Sequence, residues 1–181
     1  MSSTILGIIA SSGGAAASTS SYESIATATG TGSSATITFS SIPGTYKHLQ
    51  IRTLAISAAS DASITMTCNG VTSASYAQHQ LFGNGSSVFL GGSASQTGIA
   101  QLIRSTATYP SVGIIDIIDY ASTTKNKTIR SFMGEDANGS GRTGVFSGLF
   151  IDTTAITSLT FVASQNFATS TVFALYGIKG A

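Results

Sequence analysis

Ile64-Thr65-Met66-Thr67-Cys68-Asn69-Gly70 decides the fold. Three apolar side chains alternate with two threonines, and the run ends on a pair that tolerates positive φ. Alternation with period two places one set of side chains inward and the other outward on a half-buried strand. Threonine on the outward side favours the same geometry through its β-branch. Working outward, Ala35, Ile37 and Phe39 alternate with Thr36 and Thr38, and Leu49, Ile51, Thr53 and Ala55 alternate with His48, Gln50 and Arg52. Further runs cover Ile99–Ile103, Val112–Tyr120, Thr128–Met133, Val145–Ile151, Leu159–Ala163 and Val172–Ile178. Turn signals separate them: Ile42-Pro43-Gly44, Gly83-Asn84-Gly85, Gly91-Gly92 and Asn138-Gly139-Ser140-Gly141. Roughly nine or ten strands at this spacing predict an all-β, antiparallel β-sandwich of jelly-roll type. The expected inward residues are Ile37, Phe39, Leu49, Ile51, Ile64, Met66, Leu159, Phe161, Val172 and Ala174. Asp152–Ile156 is the one stretch read as a helical turn.

Composition narrows the class of protein. The 181 residues suffice for one domain with a sizeable core. Charged residues are 8% of the chain, against about 25% in an ordinary soluble domain. The 42% hydrophobic content argues against disorder, and the net charge of +1 argues against a nucleic-acid partner. No apolar run approaches the ~20 residues of a membrane-spanning helix, so no membrane partner is expected. No Lys or Arg precedes Lys47, so a secretory n-region is not expected either. The single cysteine, Cys68, leaves no internal disulfide and reads as a small buried hydrophobe.

The first 21 residues have a different texture. Ile5-Leu6-Gly7-Ile8-Ile9-Ala10 is a short apolar stretch, and Ser11 to Ser21 is a linker of small residues. This divides the chain into an N-terminal arm at 1–21 and a single β-sandwich domain at 22–181. Ile5, Leu6, Ile8 and Ile9 are the candidate partner-binding residues. The competing reading makes Ile5–Ile9 a first strand of the sandwich.

Chemistry-bearing motifs are weak. Gly30-Thr31-Gly32-Ser33-Ser34-Ala35 fits a dinucleotide fingerprint by letter, but it runs into a strand and offers no helix N-terminus for a pyrophosphate. His48 and His79 lie between polar neighbours on outward faces. Glu135-Asp136-Ala137-Asn138-Gly139-Ser140 has the oxygens of a calcium loop without its terminal bidentate Glu, and reads as a hairpin turn. The 7 acidic residues cluster in turns or beside isoleucines, away from any glycosidase-like pairing. Ile114-Ile115-Asp116-Ile117-Ile118-Asp119-Tyr120 is apolar on both faces, which predicts cover from both sides or from a partner subunit. Arg130 is the expected partner of an aspartate there. Tyr46 and Tyr109, near Pro43 and Pro110, are the candidate glycan contacts, because loops on a rigid sandwich are where binding concentrates.

Longer stretches carry a resemblance. They are Ser21-Tyr22-Glu23-Ser24-Ile25-Ala26, Phe39-Ser40-Ser41-Ile42-Pro43, Tyr46-Lys47-His48-Leu49-Gln50-Ile51-Arg52, Ala155-Ile156-Thr157-Ser158-Leu159 and Phe173-Ala174-Leu175-Tyr176-Gly177-Ile178-Lys179-Gly180. The chain resembles small virion structural proteins of tailed bacteriophages, from Ile5 to Gly180. The resemblance implies a head or tail surface component with no catalytic residue, metal or cofactor. The expected function is a non-enzymatic head decoration (cement) protein, made in the host cytoplasm and carried on the virion surface. Its expected partners are its own copies, as a homotrimer, and the major capsid protein or tail proteins. The alternative is a tail or fibre module that binds a bacterial surface glycan through its loops.

Overall fold

The computed structural model describes residues 20–180. They form twelve strands: β1 (Tyr22–Thr29), β2 (Thr36–Phe39), β3 (His48–Ala55), β4 (Ala62–Cys68), β5 (Tyr76–Gly83), β6 (Val88–Gln96), β7 (Ile99–Ser105), β8 (Ser111–Ile118), β9 (Lys127–Asp136), β10 (Gly141–Phe150), β11 (Leu159–Ala163) and β12 (Val172–Ile178). One sheet has eight strands in the order β1-β12-β3-β8-β9-β10-β5-β6, and the other has four in the order β2-β11-β4-β7. Every pairing between these strands is antiparallel. The protein is an antiparallel β-sandwich, as the alternation predicts.

The core lies between the sheets. Ile37, Phe39, Ile64, Met66, Cys68, Leu159 and Phe161 face it from the small sheet, and Leu49, Ile51, Ile115, Ile117, Ile129, Phe173 and Leu175 face it from the large one. Aromatic edges cross the gap: the Phe161 and Phe173 rings are 5.1 Å apart at 76°, a favoured edge-to-face arrangement. The eight inward residues expected on β2, β3, β4 and β11 are buried. On β12 the phase is reversed. Phe173 and Leu175 point inward, while Val172 is 36% exposed and Ala174 is partly exposed. Both sides of β12 are apolar, so alternation alone did not fix which side is buried; the larger Phe and Leu fill the gap between sheets.

Turn chemistry agrees with the sequence reading in two places. Asn69 and Gly70 both have positive φ (53° and 67°), as do Asn138 and Gly139 (59° and 93°) between β9 and β10. Residues 152–156 form no helical turn. Asn69 holds the end of this stretch and the residue after it: its Nδ2 donates to the Ala155 carbonyl at 2.9 Å and its Oδ1 accepts from the Thr157 amide at 2.8 Å. The fully buried Lys127 donates from Nζ to the Asp152 and Thr154 carbonyls at 3.1 and 2.6 Å. Carbonyls used this way point to the lysine and are not aligned along a helix axis.

Candidate interaction surface

The outward side of the large sheet carries the feature with most functional content. Register places Ile114 opposite Phe132, Phe132 opposite Val145, Val145 opposite Leu81, and Leu81 opposite Leu90. Five apolar side chains thus form one line across β8, β9, β10, β5 and β6, at about 4.8 Å per strand. All five are exposed, Phe132 at 59% and Leu90 at 80%. Two residues along the strands, Val172, Leu54 and Val112 form a second line, and Val88 stands at its far end at 71% exposure. Isolated exposed apolar residues are ordinary, whereas the five of the first line stand side by side in register.

The next line on the other side is polar. Asp116 accepts from Gln50 Nε2 at 2.9 Å and pairs with Arg130 Nε at 3.0 Å, as expected from the sequence. Ser147 and His79 continue the line beyond Arg130. The Ile114–Tyr120 run is divided as expected for a strand apolar on both faces. Ile115 and Ile117 are buried, whereas Ile114 and Ile118 are exposed on the outer side. Tyr120 is buried beyond the strand and its hydroxyl donates to the Pro43 carbonyl.

β6 is open on more than one side. It is the last strand of the large sheet, and none of its nine residues is charged or proline. Val88 and Leu90 are exposed on the outer face. On the inner face Phe89 stacks on Phe82 at 4.7 Å and is itself still exposed. The β5–β6 hairpin therefore projects past the cover of the small sheet. These residues escaped sequence reading, because Val88-Phe89-Leu90 does not alternate. The signal was the three adjacent apolar residues set before Gly91-Gly92.

The two tyrosines proposed as glycan contacts lie at opposite ends of the sandwich. Tyr109 precedes the start of β8, whereas Tyr46 precedes β3, whose first residue His48 pairs with Ile118 at the end of β8. The eight residues of β8 separate the two ends by roughly 25 Å. Tyr46 packs its ring over Gly177, so closely that a Cβ there would lie 2.2 Å from the ring. Near it, Asp119 is held by Lys47 and Lys125, each at 2.9 Å, which lower its pKa to about 2. The Asp119 amide donates to His48 Nδ1 at 3.0 Å.

Tyr109 borders a groove of about 610 Å³ with Asn84, Glu135 and Arg142 on its walls. Glu135 Oε1 is 3.1 Å from Arg142 Nε and 3.5 Å from Arg104 Nε, and Ser111 donates to its other oxygen at 3.1 Å. Burial and the neighbouring Arg104 lower the Arg142 pKa. Asp136 Oδ1 accepts from the Gly139 amide at 3.2 Å. The acids of the calcium-like stretch thus serve an ion-pair network and a turn. Gly30 of the fingerprint-like stretch allows close backbone approach, since a Cβ there would sit 2.1 Å from the Ala168 carbonyl oxygen. Among the described residues no group of three or more His, Cys, Asp or Glu is placed to hold a metal ion. Ile5, Leu6, Ile8 and Ile9 lie outside the described residues. In comparisons with known proteins, no family model matches the chain, and neither a curated protein nor a solved structure does.

Proposed function

We propose that this protein is a non-enzymatic structural component of a tailed-phage particle surface, a head decoration (cement) protein. In this reading Ile5, Leu6, Ile8 and Ile9 attach it to the major capsid protein, and three copies assemble as a homotrimer. It is made in the host cytoplasm and ends on the virion. The observation that carries the reading is the uncharged apolar line from Ile114 to Leu90. Such a surface suits close contact between protein copies, because it contains no charge whose burial would be costly. The resemblance to virion structural proteins supplies the kind of assembly.

A second reading has one observation in its favour. Tyr109, Asn84, Glu135 and Arg142 line the groove at one end of the sandwich, and aromatic and hydrogen-bonding groups together suit a sugar. That reading is a tail or fibre module for a bacterial surface glycan. Electron microscopy of particles carrying an affinity label on the C-terminus separates the two. Label over the head lattice is the expected result. Label confined to the tail favours the second reading, and unlabelled particles overturn both.

A further inference from the structure

We infer that Asn138-Gly139, the turn between β9 and β10, is a site of spontaneous covalent modification at which Asn138 loses its side-chain amide. The inference stands apart from the virion reading, because the reaction needs only this chain and water.

The chemistry is open to an asparagine followed by glycine. The Gly139 nitrogen attacks Asn138 Cγ, a bond forms between them, and the bond from Cγ to Nδ2 breaks. Nδ2 leaves as ammonia with the Gly139 proton, and a cyclic succinimide remains. Water then opens the ring at either carbonyl. Opening at Cγ gives aspartate, and opening at the main-chain carbonyl gives isoaspartate, in which the chain runs through the side-chain methylene. No oxidant, reductant or cofactor enters. Glycine permits the attack because it has no Cβ to shield its nitrogen.

The sequence offers three such pairs, Asn69-Gly70, Asn84-Gly85 and Asn138-Gly139. A Cβ on any of the three glycines would meet nothing within 4 Å, so crowding does not separate them. The asparagine side chains do, because each must swing until Cγ lies against the next nitrogen. Asn69 Oδ1 accepts from the Thr157 and Ser158 amides at 2.8 and 3.2 Å, and its Nδ2 donates to the Ala155 carbonyl at 2.9 Å. Asn84 Oδ1 accepts from the Ser87 and Ser86 amides at 2.8 and 3.1 Å. In both cases the swing breaks these bonds. The Asn138 side chain is exposed and, among the described residues, has no hydrogen-bond partner. Its turn is closed by neighbours: the Ala137 amide donates to the Ser140 carbonyl at 2.6 Å. The attack gives up one bond, from the Gly139 amide to the exposed Asp136 carboxylate at 3.2 Å.

The product differs from the parent where a groove is built. Gly139, Ser140 and Arg142 line the same groove as Tyr109. A carboxylate at residue 138 brings the chain's formal net charge of +1 to zero and sets a negative group beside that wall. Isoaspartate also lengthens the main chain in a turn whose two residues both have positive φ, 59° and 93°. Charge and shape at this end of the sandwich therefore change as the protein ages.

The test incubates the folded full chain at mildly alkaline pH and follows each Asn-Gly pair by peptide mapping with mass spectrometry, with fragmentation that distinguishes isoaspartate from aspartate. Asn138 should convert first, to both products, and Asn69 should be slower by roughly tenfold or more because several hydrogen bonds must break. In urea, where those bonds are gone, the three pairs should convert at similar rates. Asn138→Gln, whose ring closure is disfavoured, should lose most of the early acidic species seen by isoelectric focusing, with circular dichroism like the parent's. Conversion of Asn69 or Asn84 ahead of Asn138 in the folded chain overturns the inference. So does the same order with the same spread of rates in urea, because the fold would then have no part in the choice.

Discussion

Phe161 has no exposed surface and sits between Phe39 on its own sheet, at 6.4 Å, and Phe173 across the gap, at 5.1 Å. Truncation to alanine removes both ring contacts and leaves a void that two stiff sheets cannot close. Phe161→Ala is expected to lower stability by about 3–5 kcal/mol, read from urea unfolding; a loss under about 1 kcal/mol would show that the packing around it relaxes freely. Cys68 and Tyr76 set a second limit. The Tyr76 hydroxyl accepts from the Cys68 amide at 2.9 Å and donates to the Val71 carbonyl at 3.0 Å. Burial raises the Cys68 thiol from 9.0 to about 12 and the Tyr76 phenol from 10.0 to about 12. The folded protein therefore holds both protons over a range in which the unfolded chain has released them. Their contribution to stability is complete below about pH 9 and is lost as pH rises toward 12. The melting temperature should fall through that window, and Cys68 should resist a thiol reagent until the chain unfolds. Rapid labelling of the native protein at neutral pH would contradict this account. On the acid side, Asp119 acts in the opposite sense. Lys125 and Lys47 lower its pKa to about 2, so its contribution is present above 3.8 and declines as pH falls toward 2.

At the scale of the element, β12 and the loop before β3 depend on one another. Gly177 lies under the Tyr46 ring, and any side chain there must displace it. Gly177→Ala alone should destabilise by roughly 1–3 kcal/mol, the usual range for overpacking. In the double variant with Tyr46→Ala the ring is absent, so the two losses should sum to less than their separate values. Strict additivity in chemical denaturation would show that the ring simply swings away. The same strand marks the limit of what sequence reveals. Runs such as Ile64–Cys68 were readable because apolar and polar residues strictly alternate and one face is wet. Val172–Ile178 places apolar residues on both faces, and its burial is decided by side-chain size against the opposite sheet. β1, β5 and β6 gave no periodic signal: β1 is rich in Ala, Ser and Thr, β5 mixes Gln and His with Leu and Phe, and β6 joins an apolar tip to a Gly/Ser tail. The apolar line was hidden for a different reason. Its members come from five strands, and only register brings Ile114, Phe132, Val145, Leu81 and Leu90 side by side. Tyr109 and Arg142 likewise meet at one groove through the topology, whereas Tyr46 and Tyr109 are alike in sequence context and far apart in space.

For the whole molecule, the question is whether the sandwich needs the residues before it. The buried hydrophobic core among the described residues runs from Ile37 to Leu175, and both sheets contribute to it. β1 is tied to β12 along its length, and the Ser21 carbonyl accepts from the Lys179 amide at 3.0 Å. Deleting residues 1–15 removes none of these contacts. The truncated protein is expected to keep the parent's melting temperature and circular dichroism. Its attachment to particles should be lost, because Ile5, Leu6, Ile8 and Ile9 are the proposed anchor. Burial of each such side chain contributes about 1.5–3 kcal/mol before the ordering of the arm is charged against it. Ile5→Ser with Ile9→Ser in the full-length chain should therefore reduce particle binding without altering the fold. A lower melting temperature on deletion would instead assign Ile5–Ile9 to the sandwich as a strand. Full incorporation of the truncated protein into particles, measured by quantitative gel analysis of purified virions, would remove the anchor and leave the outer sheet face as the surface that holds the protein in place.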